Sequence, residues 1–144
     1  IWVGTVRRVI CAAPAYLERH GTPKTPADLA ALNIVSASAV TPTSEWRILE
    51  GGEPRVVKVQ PRMVTTTNDS AIAAIASGFG LARLLSYQVA DLLRDGRLKA
   101  VLTEFELAPM PVNLLHREGR HASPKARAFL DLAIERLRAN PALG

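Results

Sequence analysis

Three sets of residues in this sequence have types and spacings that bear on chemistry. The first is TTTND at residues 65–69, ahead of the alanine-rich stretch SAIAAIASGFG. Short polar side chains at that place accept the free backbone N–H groups of a helix start. A helix that begins where a strand ends turns those N–H groups, and the positive end of its dipole, toward a crevice that suits a carboxylate or another small anion. The helix start at Asn68 and Asp69 is therefore a candidate place for a ligand, while the plainer reading is that Asn68 and Asp69 only cap the helix. Arg83, inside the run LARLL, either faces the same crevice or snorkels to the surface on a buried stem.

The second set is Ser36 and the small polar segment ASAVTPTS at residues 37–44. Ser36, Ser38, Thr41, Thr43 and Ser44 exchange hydrogen bonds without steric demand, which suits a pocket wall as well as an ordinary surface loop. The third set argues against catalysis. Cys11 lies alone in a strand-like run, with no base at a recognisable spacing, and reads as a small core hydrophobe. His20, His116 and His121 fall in different elements without metal-ligand spacing. No metal, cofactor or catalytic group is expected.

The elements that must hold these residues follow from periodicity. TVRRVICA at 5–12 predicts a strand stopped by Pro14, and residues 15–20 a helical turn ended by Gly21. Thr25 with Pro26 opens another turn, ADLAAL. Residues 33–36 form a short apolar run. Residues 46–49 and 56–59 pair as a hairpin around Gly51 and Gly52, and residues 62–66 continue as a strand. Ile72, Ile75, Ala76 and Phe79 recur at helical spacing, and Gly78 stands where a left-handed residue ends a helix. A buried strand at 81–85, a helix at 87–94, and strands at 98–105 and 112–116 follow. Ser123 with Pro124 starts the last helix, whose positions 126, 129, 130, 133, 134 and 137 make one apolar face that needs cover.

Composition narrows the classes. The chain has 144 residues, 48% hydrophobic and 22% charged, enough apolar content for a core and no run that spans a bilayer. Its net charge of +5 is spread over single and paired basic residues, and the few aromatics do not interleave with them, so a nucleic-acid groove is not indicated. One cysteine excludes an internal disulfide and fits a reducing compartment, so a cytoplasmic location is expected. No signal peptide is read at the start, and strand-like sequence from the first residues reads as part of a longer protein.

Taken in order, RRVICAAPAYLERHGTPKTPADLAALNIV, Trp46 with GGEPRVVKVQPRMVTTTND, AIAAIASGFGLARLLSYQVADLLRDGRLKAVL and PVNLLHREGRHASPKARAFLDLAIERL resemble the effector-binding domain of LysR-type transcriptional regulators. CAAPAYL, SGFGLARL and SPKARAFLD are the most specific segments. Leu85 departs from the pattern, because the family commonly has proline there, and the departure is expected to relax the turn that follows.

The resemblance implies an α/β, periplasmic-binding-protein-like (type 2) fold of two lobes around a hinge. The second lobe would be complete over 1–108, with its incoming hinge strand. The first would be present only in part, as the returning strand and C-terminal helix of 109–144, with Trp2 near the hinge. It further implies an effector cleft lined from this lobe by Thr5, Ser36, Ala37, Ser38, Thr67, Asn68 and Asp69. A small anionic effector would bind there without catalysis. The expected assembly is a homodimer, or a tetramer at full length, with DNA held only by a helix-turn-helix domain outside this chain. The competing readings are a stand-alone periplasmic-type solute-binding protein, an enzyme using Cys11 or a serine, and a domain that itself binds nucleic acid.

Overall fold

Arg7 divides the first strand-like run. Its N–H donates to Ser86 Oγ at 3.0 Å and its carbonyl accepts from the Ser86 N–H at 2.8 Å, so the chain changes sheets there. The expected strand over 5–12 is therefore two. The computed structural model describes residues 1–37, 44–117 and 119–144. Its elements run β1 (Trp2–Val6), β2 (Arg8–Ala12), α1 (Pro14–His20), β3 (Ile34–Ala37), β4 (Glu45–Glu50), β5 (Glu53–Lys58) and β6 (Pro61–Thr65). Then come α2 (Asn68–Ala76), β7 (Leu81–Leu85), α3 (Ala90–Arg94), β8 (Lys99–Val101), β9 (Met110–Asn113) and α4 (Pro124–Arg138).

Five strands form one mixed sheet in the order β6-β3-β7-β2-β8, with β3 parallel to β6 and β7, and β2 antiparallel to β7 and β8. Alternation along the strands sends side chains to two cores. On one face Ile10, Ala12, Ile34 and Leu81 pack with Tyr16 and Leu17 of α1, Leu29 and Trp46 of β4. On the other, Val9, Cys11, Val35, Ala37, Ala82 and Leu84 pack with Ala71 and Ile75 of α2 and with Val89 and Leu98. The β4–β5 hairpin turns through Gly51 and Gly52 at φ of 61° and 81°, as the glycine pair requires.

Local geometry shortens several expected elements. The turn that Thr25 opens is a 3-10 helix, Pro26–Ala31, and not an α-helix. The helix expected over 87–94 splits into a 3-10 turn, Ser86–Gln88, and α3, because Val89 at φ −119°, ψ 9° is not helical. The strand expected to reach 105 stops at Val101. Leu102 takes φ 54°, and it is the only non-glycine among the described residues in the left-handed region; a 3-10 turn, Thr103–Phe105, follows.

The returning strand lies at Met110–Asn113 and not at 112–116, because it pairs antiparallel with β1 from Val6↔Met110 to Trp2↔Asn113. The α4 helix starts as expected, with Ser123 Oγ accepting the Ala126 N–H at 3.3 Å. Arg138 donates to the Trp2 carbonyl through Nε and Nη2, at 3.2 and 2.9 Å, which fastens its last turn to β1.

Candidate functional site

The end of β6 delivers the chain to α2, and the cap that starts this helix is Thr67. Its Oγ1 accepts the Ser70 N–H at 3.1 Å. Asn68 and Asp69, expected as caps, instead occupy the first two helical positions. No hydrogen bond takes their N–H groups among the described residues, as is ordinary for the first turn of a helix. The helix closes with Gly78 at φ 88°, where the Gly78 N–H donates to the Ile75 carbonyl and the Phe79 N–H to the Ala74 carbonyl. Gly80 follows with its α-carbon so close to Asn33 that a Cβ would clash with the Asn33 carbonyl oxygen. This contact fixes where β7 begins.

Thr67, Asn68, Asp69, Ile72, Tyr87 and Gln88 line an open depression of about 430 Å³. Asn68 Oδ1, a buried acceptor, has no hydrogen-bond partner among the described residues. The wall facing α2 is the Ser86–Gln88 turn, and it is tied down. Leu85 donates its N–H to Gln88 Oε1 at 3.1 Å, using the group that a proline would lack, so the departure at Leu85 adds a bond where relaxation was expected. Ser86 holds Arg7 by the two bonds described above, which couples this wall to the crossover between the two sheets.

Of the seven expected contacts, three line the depression: Thr67, Asn68 and Asp69. Ala37 stands beside Thr65 in the β3–β6 register and is buried beneath α2, and Ser36 is half-buried and alternates to the opposite face of the sheet. Thr5 pairs with Pro111 in the two-stranded sheet. None of these three residues lines the depression. Ser38, with Thr41 and Thr43, lies outside the described residues. Ile72, Tyr87 and Gln88 were not foreseen. The available signal was a tyrosine two residues after an apolar strand, and it is 49% accessible here.

Arg83 does not face this depression. It projects to the hairpin face, with its guanidinium 6.0 Å from the Trp46 ring centroid and Nη1 donating to the Arg47 carbonyl at 3.0 Å. Cys11 is fully buried, and burial pushes its thiol up to about 12, the opposite of what a nucleophile needs. Among the described residues no three His, Cys, Asp or Glu side chains converge as a metal site. No described helix is long and apolar enough to cross a membrane.

A family profile described as the LysR substrate binding domain matches residues 3–138. The chain is 29% identical over 133 residues to the probable HTH-type transcriptional regulator LtrA of Klebsiella pneumoniae, covering 90% of this chain and 43% of that protein. It is 30% identical over 118 residues to the HTH-type transcriptional activator AaeR of Escherichia coli, covering 81% and 38%. The chain thus spans about two fifths of the length of these relatives.

Among solved structures, the regulatory domain of AphB from Vibrio vulnificus superposes with a TM-score of 0.83 at 22% identity, over 94% of this chain and 67% of that one. CrgA of Neisseria meningitidis, a LysR-type transcriptional regulator, superposes at 0.80 and 24% identity, over 96% and 47%. These neighbours have the periplasmic-binding-protein-like type 2 fold, and the described strands and helices follow it. With a family match running from Val3 to Arg138, this chain belongs to the LysR substrate-binding domain family, the effector-sensing part of LysR-type transcriptional regulators.

Proposed function

We infer that the depression at the start of α2 is one wall of an effector cleft, and that the protein reports a small molecule to a DNA-binding domain without transforming it. The observation that carries this reading is the set of unsatisfied groups on that wall: two helix-start N–H donors at Asn68 and Asp69, and the orphan acceptor Asn68 Oδ1. Donors and the dipole favour a carboxylate. The Asp69 carboxylate, in the same first turn, favours a guest that also carries a hydroxyl or amino donor. A small hydroxy or amino carboxylic acid satisfies both.

Residues 1–108 would form one lobe and 109–144 the returning part of the other, with β1 and β9 as the paired crossing strands and Thr5, Ser36, Ala37 and Ser38 completing the lining. Effector binding would then change the angle between lobes about Arg7. The regulator would act in the cytoplasm as a dimer or tetramer holding DNA through a helix-turn-helix domain. The names of its HTH-type relatives support this reading. The exposed apolar side chains of α4, Phe129 at 68% and Leu132 at 50%, support an association through that helix. Likeness to transcriptional regulators lends nothing to a stand-alone solute-binding protein.

The test is calorimetry on the full-length regulator with a panel of hydroxy, amino and plain carboxylic acids, alongside an Asn68→Pro variant. Proline at the first helical position keeps the helix and removes one N–H donor. Binding by the parent that weakens about tenfold in the variant is the expected result. Equal affinity of parent and variant would remove the helix start from the site.

A further inference from the structure

The sheet face turned away from α2 carries a basic hollow with its own geometry. In the β2–β7 register Ile10 lies across from Arg83 and Arg8 across from Leu85. Alternation therefore sends Arg8, Ile10 and Arg83 to one side. Arg47 comes in from β4, and Ile10, Ile48 and Leu102 give the hollow an apolar floor. The space inside is about 10 Å³, so one oxygen of an anion enters while the rest stays between the exposed side chains of Arg8 and Arg47.

The charges there are unbalanced. Among the described residues the ion pairs are Arg7 with Glu106 at 2.6 Å and Arg94 with Asp91 and Asp95, and none reaches Arg8, Arg47 or Arg83. Arg83 is half-buried and held in place over Trp46, with one N–H spent on the Arg47 carbonyl and the others without a protein partner among the described residues. Burial first, and the charge of Arg8 second, pull its guanidinium down to about 10. A planar, fixed guanidinium flanked by two exposed ones matches an oxyanion.

Glu106 narrows the choice. Its side chain is 10% exposed and lines the hollow; Arg7 holds Oε2, while Oε1 is buried without a hydrogen-bond partner among the described residues. An unpaired buried acceptor in the same hollow as three arginines asks for an anion that also brings an O–H.

The geometry points to a second small-molecule site here, formed by Arg8, Arg47, Arg83 and Glu106, for an oxyanion that bears a hydroxyl, of which monohydrogen phosphate is the simplest. The arginines take the charged oxygens and Glu106 Oε1 accepts the O–H. Sulfate, which has the same shape and no proton to donate at neutral pH, should be refused. This site is separate from the depression at α2, so it stands or falls independently of the effector reading.

The experiment is equilibrium dialysis of the whole chain against labelled inorganic phosphate and labelled sulfate at pH 7.5. Arg8→Gln, Arg47→Gln and Asn68→Pro variants are measured beside it. Arg8 and Arg47 are exposed, so their replacement leaves the fold intact, which circular dichroism checks. One saturable phosphate per chain is expected, at least about tenfold tighter than sulfate, weakened about tenfold in each arginine variant and unchanged in Asn68→Pro. Absence of saturable phosphate binding, equal binding of sulfate, or arginine variants that bind like the parent would each overturn the assignment.

Discussion

Two helices of this domain were written in similar local code and met opposite fates. The α4 helix has 15 residues, a proper cap and a clear apolar stripe, yet it buries none of its residues fully: Ala126, Leu130, Ala133, Ile134 and Leu137 are half-buried and Phe129 is exposed. The α2 helix has nine residues, is alanine-rich and has little contrast between its faces, yet Ala71 and Ile75 are fully buried under it. Every buried hydrophobic residue among those described lies between Val3 and Leu102. Amphipathicity thus states which face wants cover. Whether cover exists depends on what stands opposite, and α2 has a five-stranded sheet there while α4 touches β1 and the C-terminal turn at Pro141–Leu143.

That contrast can be broken most directly by truncating one large side chain on each side of it. Trp46→Ala should cost about 3–5 kcal/mol, because the indole is 2% exposed and closes one core. Phe129→Ala on α4 should stay within about 0.5 kcal/mol in this chain, and only a bound partner would raise its cost. Urea unfolding of the two variants decides, and similar losses at both positions would mean that α4 is covered after all.

A smaller effect sharpens the role of the turn that seats β7. Gly80→Ala should destabilise by about 1–3 kcal/mol, since the added Cβ meets the Asn33 backbone and not the tip of a flexible side chain. Thermal unfolding measures it. The two helix caps come next. Thr67→Ala and Ser123→Ala each remove one cap hydrogen bond and should cost about 1 kcal/mol. The caps are alike even though the burial is not, so a large difference between the two variants would place the contrast in the helix starts and not in their packing.

The smallest effect is electrostatic. The backbone N–H groups of Lys24 and Thr25 hold the exposed Asp28 carboxyl below its usual range of 3.8. A depressed carboxyl contributes stability above its unfolded value, and the contribution disappears as pH falls through the folded value. Asp28→Asn should therefore lower stability slightly at neutral pH, where the contribution is present, and match the parent well below about pH 4, which flattens the acid limb of the profile.

Some of the candidate site was legible in the residues. TTTND before an alanine-rich run announced a helix start, and Thr67, Asn68 and Asp69 do line one depression. Its opposite wall was not legible. Tyr87 and Gln88 belong to a turn whose position depends on Ser86 meeting Arg7, a contact 79 residues apart in sequence. Arg83 had two readings from its neighbours alone, and only the register with Ile10 and the arrival of Trp46 sent it to the hairpin face.

By itself the sequence determined the local events: the glycine pair that turns the hairpin, the left-handed Gly78 that ends α2, and the serine and proline that start α4. It also determined the family, through the order of its segments. These depend on φ preferences, hydrogen bonds within a few residues and the spacing of apolar positions, all of which are carried by neighbouring side chains. Tertiary structure decided the break at Arg7, the end of β8 at Leu102, the face that each arginine occupies and the incomplete cover on α4. Such outcomes are set by pairing between distant strands, where a shift of one residue exchanges the faces of a whole strand and no local signal records the choice.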